Sequence, residues 1–581
     1  MWSVFTTCVW LFVFAQAIGV TARYAASSSP LILPLQSYAR RDVNVNGAHA
    51  GITAVGMAST NQAYFAILKA GATSFRVALD TASADLWLVS TQCTTDVCKA
   101  VPRYPLQYQS GTFVTVNNNS TVFSVSYADG TSAEGFVAKE AVQLANLTVS
   151  NQVLGLMTSS NVTLTDDISG VFGLGFPRLS SVSNTVTNST PFFVQLAQQG
   201  VLNYPVFGLS LTRNDTGSLS IGAIDSSVVT NVTNVGWHEV VEFAPIGTEN
   251  NVSSYLQWAI PLDGFAVNGS SLTPSPTYPN ITNNASLAMF DVGNNGIYGP
   301  YQDVSRLFAA ISGSRLVDTN RLWAIPCDTL VPISFTFGTQ NLTLQPTDYL
   351  IGPASDNPNL CLSWPGATSP SSDGIDWQMG LFLSLLTLNA TTYHSLIGVP
   401  FLRTVYAAFS YGINTKEPPM IGFYPLKNAT NSTESAASIS SFLSAASATV
   451  ATALPNSLLS TPTYTTPPYT FNSSISAPTG GIVSTELANS TYSPIFAQFA
   501  TNISAMPTIA PTDTLETYII TDTSGVVTTI TSTASVPSVT LGIPPGWTSG
   551  VASLHAPLSR TRLLFFLLPV AFLYISDHLF P

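Results

Sequence analysis

The chain has 581 residues, a formal net charge of −12 and a charged fraction of only 8%. That length exceeds what a single core supports, so two or more units are expected. The acidic balance argues against nucleic acid, because no basic patch is present to neutralise phosphates.

Residues 1–22 read as a secretory signal. The apolar run Trp10–Ala15 is followed by the small residues Val20-Thr21-Ala22 at the cleavage position. Residues 23–57 follow as a short pro-segment or N-terminal extension, with Arg40-Arg41 as a processing site. Asn-x-Ser/Thr triplets recur about eighteen times, Asn118, Asn146, Asn188, Asn251, Asn284, Asn341 and Asn502 among them. In a secreted chain many of these would carry surface glycans.

The stretch "FRVALDTASADLWLVS", residues 75–90, then places Asp80 at the end of an alternating apolar strand. A carboxylate there is expensive unless it caps a turn or is put to use. Cysteines come next. Cys8 lies in the signal, leaving Cys93, Cys98, Cys327 and Cys361 to pair in an oxidising compartment. Four cysteines allow three pairings; local closure favours Cys93 with Cys98 and Cys327 with Cys361, because short loops cost least entropy. Zinc is disfavoured, since no CxxC occurs and the five His are scattered.

Short alternating runs separated by Gly, Asn and Pro continue to about Leu426, a mostly β pattern. The best helical segment is "PFFVQLAQQGVL", residues 191–202, ended by Gly200. At residues 287–300, "LAMFDVGNNGIYGP" repeats the first motif: an apolar strand, Asp291, a small turn and a second apolar pair. Each Asp segment is followed by an apolar-apolar-Gly strand, "GVFGLGF" (170–176) in the first half and "SLIGVPFL" (395–402) in the second. Two half-chains that each present one Asp suggest a paired dyad. Two close carboxyls cannot both ionise cheaply, so they share a proton. One then serves as general base on a water and the other donates to a carbonyl oxygen.

Residues 427–549 are dominated by Ser, Thr, Ala and Pro, as in "STPTYTTPPYT". This composition reads as an O-glycosylated stalk that buries no core. Residues 550–581 carry small residues, a spacer and the apolar run Leu563–Ile575. That run is short for a membrane span, and the order matches a GPI-anchor signal. No GxSxG, HExxH or P-loop motif is present, and His238 and His394 fall in no site motif.

Across residues 58–426 the chain resembles the pepsin-like aspartic peptidases. "DTASADLWLVS" resembles the family's first active-site segment, with Trp87 in the place of its tryptophan. "SVSYADGTSAEGFVAKE" (124–140) resembles the flap hairpin, with Tyr127 as flap tyrosine and Asp129 and Thr131 at the tip that reaches substrate. "TPFFVQLAQQG", "GSLSIGAID" and "LIGVPFLRTVYAAFSY" (396–411) match further family segments.

The resemblance implies a mostly β, bilobal fold with a pseudo-twofold axis and a central cleft. The first lobe, with the flap, would span 58–236 and the second 237–426. Catalysis would fall to Asp80 and Asp291, supported by Thr81, Ser83, Gly293 and Asn294. The implied disulfides are Cys93–Cys98 and Cys327–Cys361. No cofactor or metal is implied. The partner would be a protein or peptide substrate, and the chain a monomer held at a fungal cell surface, in membrane or wall, by a lipid anchor.

Two departures stand out. Ala82 replaces the family's Gly in the first motif. In the second, Val292 replaces a Thr whose hydroxyl reaches across the lobes, and Asn294 is expected to hydrogen-bond the nearby carboxylate instead. Two functions follow: an acid endopeptidase, or a non-catalytic homologue that keeps the cleft as a surface for peptides, glycans or another enzyme. Phe136, Leu174 and Ile297 read equally as cleft lining or ordinary core.

Overall fold

A computed structural model describes residues 49–58, 63–127, 130–186, 189–211, 217–243, 255–294, 296–317, 322–380, 401–413, 416–426, 434–446, 454, 459–469, 492–497, 500–511, 515–521, 527–533 and 540–544. The signal, Arg40-Arg41, Asp129, His394 and the anchor signal lie outside this set. Among the described residues no helix is long and apolar enough to cross a membrane.

The body is mostly strand, and each lobe repeats one device. In the first lobe, Thr73–Asp80 runs parallel to Ile168–Gly173, with Asp80 opposite Gly173. Leu86–Val89 lies antiparallel on the other side of that strand. The loop between Asp80 and Leu86 is thus held from both flanks: Leu174 N–H donates to the Asp80 carbonyl (2.7 Å) and Gly175 N–H to that of Ser83 (2.7 Å). All six residues of Ile168–Gly173 are buried, Ser169 among them, as expected of a strand covered on both faces. Gly173 is required by close approach, since a Cβ there would meet the Ala84 carbonyl carbon at 2.4 Å.

In the second lobe, Ser286–Asp291 runs parallel to Ile375–Gly380, with Asp291 opposite Gly380. Gly296–Pro300 lies antiparallel on the other side. The parallel partner of the second Asp strand is thus Ile375–Gly380, and residues 395–400 of the apolar-apolar-Gly segment read from the sequence lie outside the described residues. The Asp-to-Gly spacing is 173 − 80 = 93 residues in one lobe and 380 − 291 = 89 in the other. The core strand accommodates Asp376 because the Ser286 hydroxyl (2.8 Å) and the Thr277 N–H (3.1 Å) donate to its carboxyl.

The lobes share a sheet in which Val405–Ser410 pairs antiparallel with Val206–Ser210. Aromatic residues fill the seam: Trp258 Nε1 and the Tyr411 hydroxyl both donate to the Leu174 carbonyl, at 3.0 and 2.7 Å. Both expected disulfides are formed, Cys93–Cys98 and Cys327–Cys361. The predicted helix forms over Phe192–Gln198 and ends before Gly200, whose φ is +67°.

Two boundaries differ from expectation. The body begins earlier than residue 58: Gly51–Met57 is a strand paired with Gly217–Ile221. The Ser/Thr/Pro-rich region also buries side chains, contrary to its averaged composition. Ile439, Leu454, Tyr492, Ile495, Phe496 and Met506 join the main core. Thr508 and Ile509 add a short parallel pairing to Ile224 and Asp225. Glu417 accepts the N–H groups of Ile495 and Phe496, both at 2.7 Å, which fixes this segment to the body.

Candidate active site

Both Asp side chains are pinned where the chain leaves a buried strand. Asp80 and Asp291 are 8% and 7% exposed. They face the same small spot: a methyl on Gly293 would lie 2.7 Å from Asp80 Oδ1 and 3.1 Å from Asp291 Oδ1. The two carboxyls are close enough that each alters the proton affinity of the other. Glycine at 293 is what leaves room for this approach.

The two acids are supported unequally. Asp80 accepts the Ser83 hydroxyl on Oδ2 (2.5 Å) and the Ala82 N–H on Oδ1 (2.9 Å). Asp291 accepts the Gly293 N–H on Oδ1 (2.7 Å). Asn294 is not turned to the carboxylate, as had been expected. Its Nδ2 donates to Gln378 Oε1 at 2.7 Å, on the parallel partner strand. Burial raises both carboxyl pKa values above the ordinary range. For Asp80, hydrogen bonds from Ser83, the Ala82 N–H and Asp291 pull back down. For Asp291, the Asp80 charge adds to burial and pushes it well up. More hydrogen-bond donors thus favour the ionised form at Asp80 than at Asp291.

Thr81 ties the lobes together. Its hydroxyl donates to the Phe290 carbonyl and accepts the Val292 N–H, each at 2.9 Å. Val292 is buried at 1% exposure and has no hydroxyl to return the bond. The cross-lobe bridge is thus made from one side.

Over the first loop stands the flap, Val122–Ser126 paired with the start of Ser132–Leu144. Tyr127 N–H donates to the Thr131 carbonyl across the turn at 2.9 Å. Trp87 Nε1 donates to the Tyr127 hydroxyl at 2.8 Å. Trp87, Val162 and Val171 form a buried apolar group against which Ala78, Tyr127 and Leu164 pack. Phe136, Leu174 and Ile297 belong to the main core. His238 packs on Phe337 and Phe423, with Nε2 against Gln340 Oε1 at 3.0 Å.

Sequence reading missed two residues. Asp85 accepts the Ser180 hydroxyl, the Ser181 N–H (2.7 Å) and the Val182 N–H (3.3 Å), tying the Asp80 loop to the segment after its parallel strand. Burial pushes its pKa to about 6. Its place five residues after Asp80, beside an apolar run, was a visible signal. Gln378 had none, because its strand reads as polar. Among the described residues no group of His, Cys, Asp and Glu is arranged to hold a metal.

Two lobes that each deliver one buried Asp to a common point define an aspartic-type peptidase architecture. The chain belongs to the eukaryotic aspartyl protease family, which it matches over residues 63–416. It is 30% identical to an aspartic protease of Phaffia rhodozyma over 349 residues, 59% of this chain and 72% of that protein. It is 25% identical to major aspartyl peptidase 1 of Cryptococcus neoformans var. grubii over 401 residues, 66% of this chain and 70% of the relative. Mouse cathepsin E is 27% identical over 363 residues, 60% and 78% of the two chains. Membership in this family implies peptide hydrolysis, with peptides or proteins as substrates.

Proposed function

We propose that this chain is a secreted, cell-surface aspartic endopeptidase active in acid, with Asp80 and Asp291 as its catalytic pair. The observation that carries the reading is the meeting of the two carboxyls at Gly293. With Asp291 protonated and Asp80 ionised, Asp80 takes a proton from a water held between them. Asp291 gives its proton to the scissile carbonyl oxygen, and a tetrahedral diol forms. On collapse the C–N bond breaks, a diol hydroxyl returns its proton to Asp291, and the proton on Asp80 passes to the leaving amine. Thr81 and Ser83 hold the first loop, Gly293 leaves space for the water, and Asn294 positions the second loop through Gln378. Tyr127, braced by Trp87, covers the substrate together with Asp129 and Thr131.

The triplet density, the apolar leader and the C-terminal small-residue, spacer and apolar order support secretion and a lipid anchor; the acidic composition suits such a place. The enzyme works as a monomer.

A second reading has its own observation: Val292 and Ala82 alter both catalytic loops, so the cleft serves binding alone. The test is cleavage of a denatured protein by the purified secreted chain between about pH 3 and 6, with and without pepstatin. Pepstatin-sensitive cleavage that disappears in Asp80→Asn supports the peptidase. No such cleavage by the natural chain leaves the binding reading.

A further inference from the structure

The Asn-x-Ser/Thr triplets do not all stand in equivalent places. Asn146 and Asn268 occupy tight hairpin turns, with φ of +65° and +48°. Asn161-Val162-Thr163 stands against the flap. Asn161 follows Leu147–Ser160, the strand that carries the flap's return strand. Its N–H donates to the Ser132 carbonyl (3.1 Å), and its Oδ1 accepts the Ser132 N–H (2.7 Å). Ser132 is the first residue after the flap turn and pairs with Ser126. Asn161 and Thr163 are exposed. Val162 between them points inward, into the apolar group that Tyr127 covers.

We propose that Asn161 carries an N-linked glycan at the open edge of the flap, and that this glycan limits the size of substrate reaching the cleft. The gating half rests on the peptidase reading; the attachment half does not. The flap backbone holds the side-chain carbonyl, and the exposed residue leaves Nδ2 as the attachment atom. Nδ2 would displace pyrophosphate from the anomeric carbon of a lipid-pyrophosphate-linked oligosaccharide. The N–C bond forms as the C–O bond breaks, one amide proton passes to the transferase, and the lipid pyrophosphate leaves. Because Oδ1 remains an acceptor after this step, glycan and flap contact are compatible. A bulky polar chain rooted one residue from the apolar group admits an extended strand more readily than a folded surface.

The chain is secreted from a eukaryotic host and its peptides are mapped by mass before and after enzymatic deglycosylation. The peptide spanning Asn161 is expected to be glycosylated in the natural chain and bare in Thr163→Ala, which removes the acceptor triplet but keeps Asn161 on Ser132. In that variant kcat/KM for an intact protein is expected to rise about threefold or more, with a short peptide changed less than about twofold. An unmodified Asn161 in the secreted natural chain overturns the attachment and the gate together. Full occupancy with an unchanged protein-to-peptide ratio overturns the gate. A natural chain that cleaves neither substrate overturns the peptidase reading and the gate, while the peptide masses still decide the attachment.

Discussion

The Asp80 and Asp291 loops share one backbone and differ in their supports. Each Asp ends a buried strand, faces a Gly on a parallel partner and is followed by small residues. Around Asp80 a hydroxyl and a backbone N–H converge on the carboxylate, while Thr81 reaches across to the other lobe. Around Asp291 the corresponding positions hold Val292, which donates nothing from its side chain, and Asn294, which bonds elsewhere. The shared backbone and the Thr81 bridge therefore bring the acids together, and the donors around each carboxyl differ between the two loops.

The comparison breaks most completely at the acids themselves. Asp80→Asn and Asp291→Asn should each lower kcat/KM for a peptide by at least about 1,000-fold while the far-ultraviolet spectrum stays unchanged, because each removes one partner of the proton relay. If either variant kept a tenth of the activity, the two-acid scheme would be wrong.

Next in size is the one-sided bridge. Thr81→Val leaves the Phe290 carbonyl and the Val292 N–H buried without their partner, a loss of about 1–3 kcal/mol in urea unfolding. Val292→Thr offers the missing hydroxyl to the first loop. By the pseudo-twofold relation it should bond the Leu79 carbonyl and Thr81 N–H and stabilise by about 1 kcal/mol. A destabilised Val292→Thr would show that the first loop has no place for the reciprocal bond.

Asp85 has no carboxylate counterpart five residues after Asp291, where the chain has Gly296. Its pKa rises from 3.8 to about 6 on folding through burial. The folded state thus binds the proton more tightly, and stability falls as pH rises from about 4 to 6, by at most about 3 kcal/mol from this group. Asp85→Asn should flatten that part of the stability curve while leaving stability below pH 4 nearly unchanged. An unaltered slope in urea titrations across this window would assign the effect to other groups.

How much of this was legible depended on how each element announced itself. Asp80 and Asp291 stood out because carboxylates interrupt apolar strands, and the small residues after them marked the turns. The Ile375–Gly380 strand stayed hidden: Asp376 and Gln378 break its apolar run, and the partners that satisfy them lie about 90 residues away or on another loop. The Ser/Thr/Pro-rich region misled for a related reason. Tyr492, Ile495, Phe496 and Met506 are spaced without period, so an average over the segment conceals them, yet each enters the core singly. Gly51–Met57 was set aside as extension, though its pairing with Gly217–Ile221 makes it part of the sheet.

Gln378 gives the finest test of the two-loop comparison. Its Oε1 holds the Asn294 amide 2.7 Å away and so keeps it off Asp291. Gln378→Met preserves length and removes the acceptor. The freed Asn294 Nδ2 would turn to Asp291, the position that Ser83 fills for Asp80. A hydrogen bond to the ionised form of Asp291 lowers its pKa, and Asp291 must be protonated to donate to the substrate carbonyl. The alkaline limb of the pH–kcat/KM profile should therefore move about half a unit towards acid, with the acid limb, set by Asp80, in place. A uniform fall across the profile would mean that Gln378 only packs the strand. A shift of the alkaline limb alone would show that the partner of the Asn294 amide tunes the proton affinity of Asp291, independently of the Val292 difference.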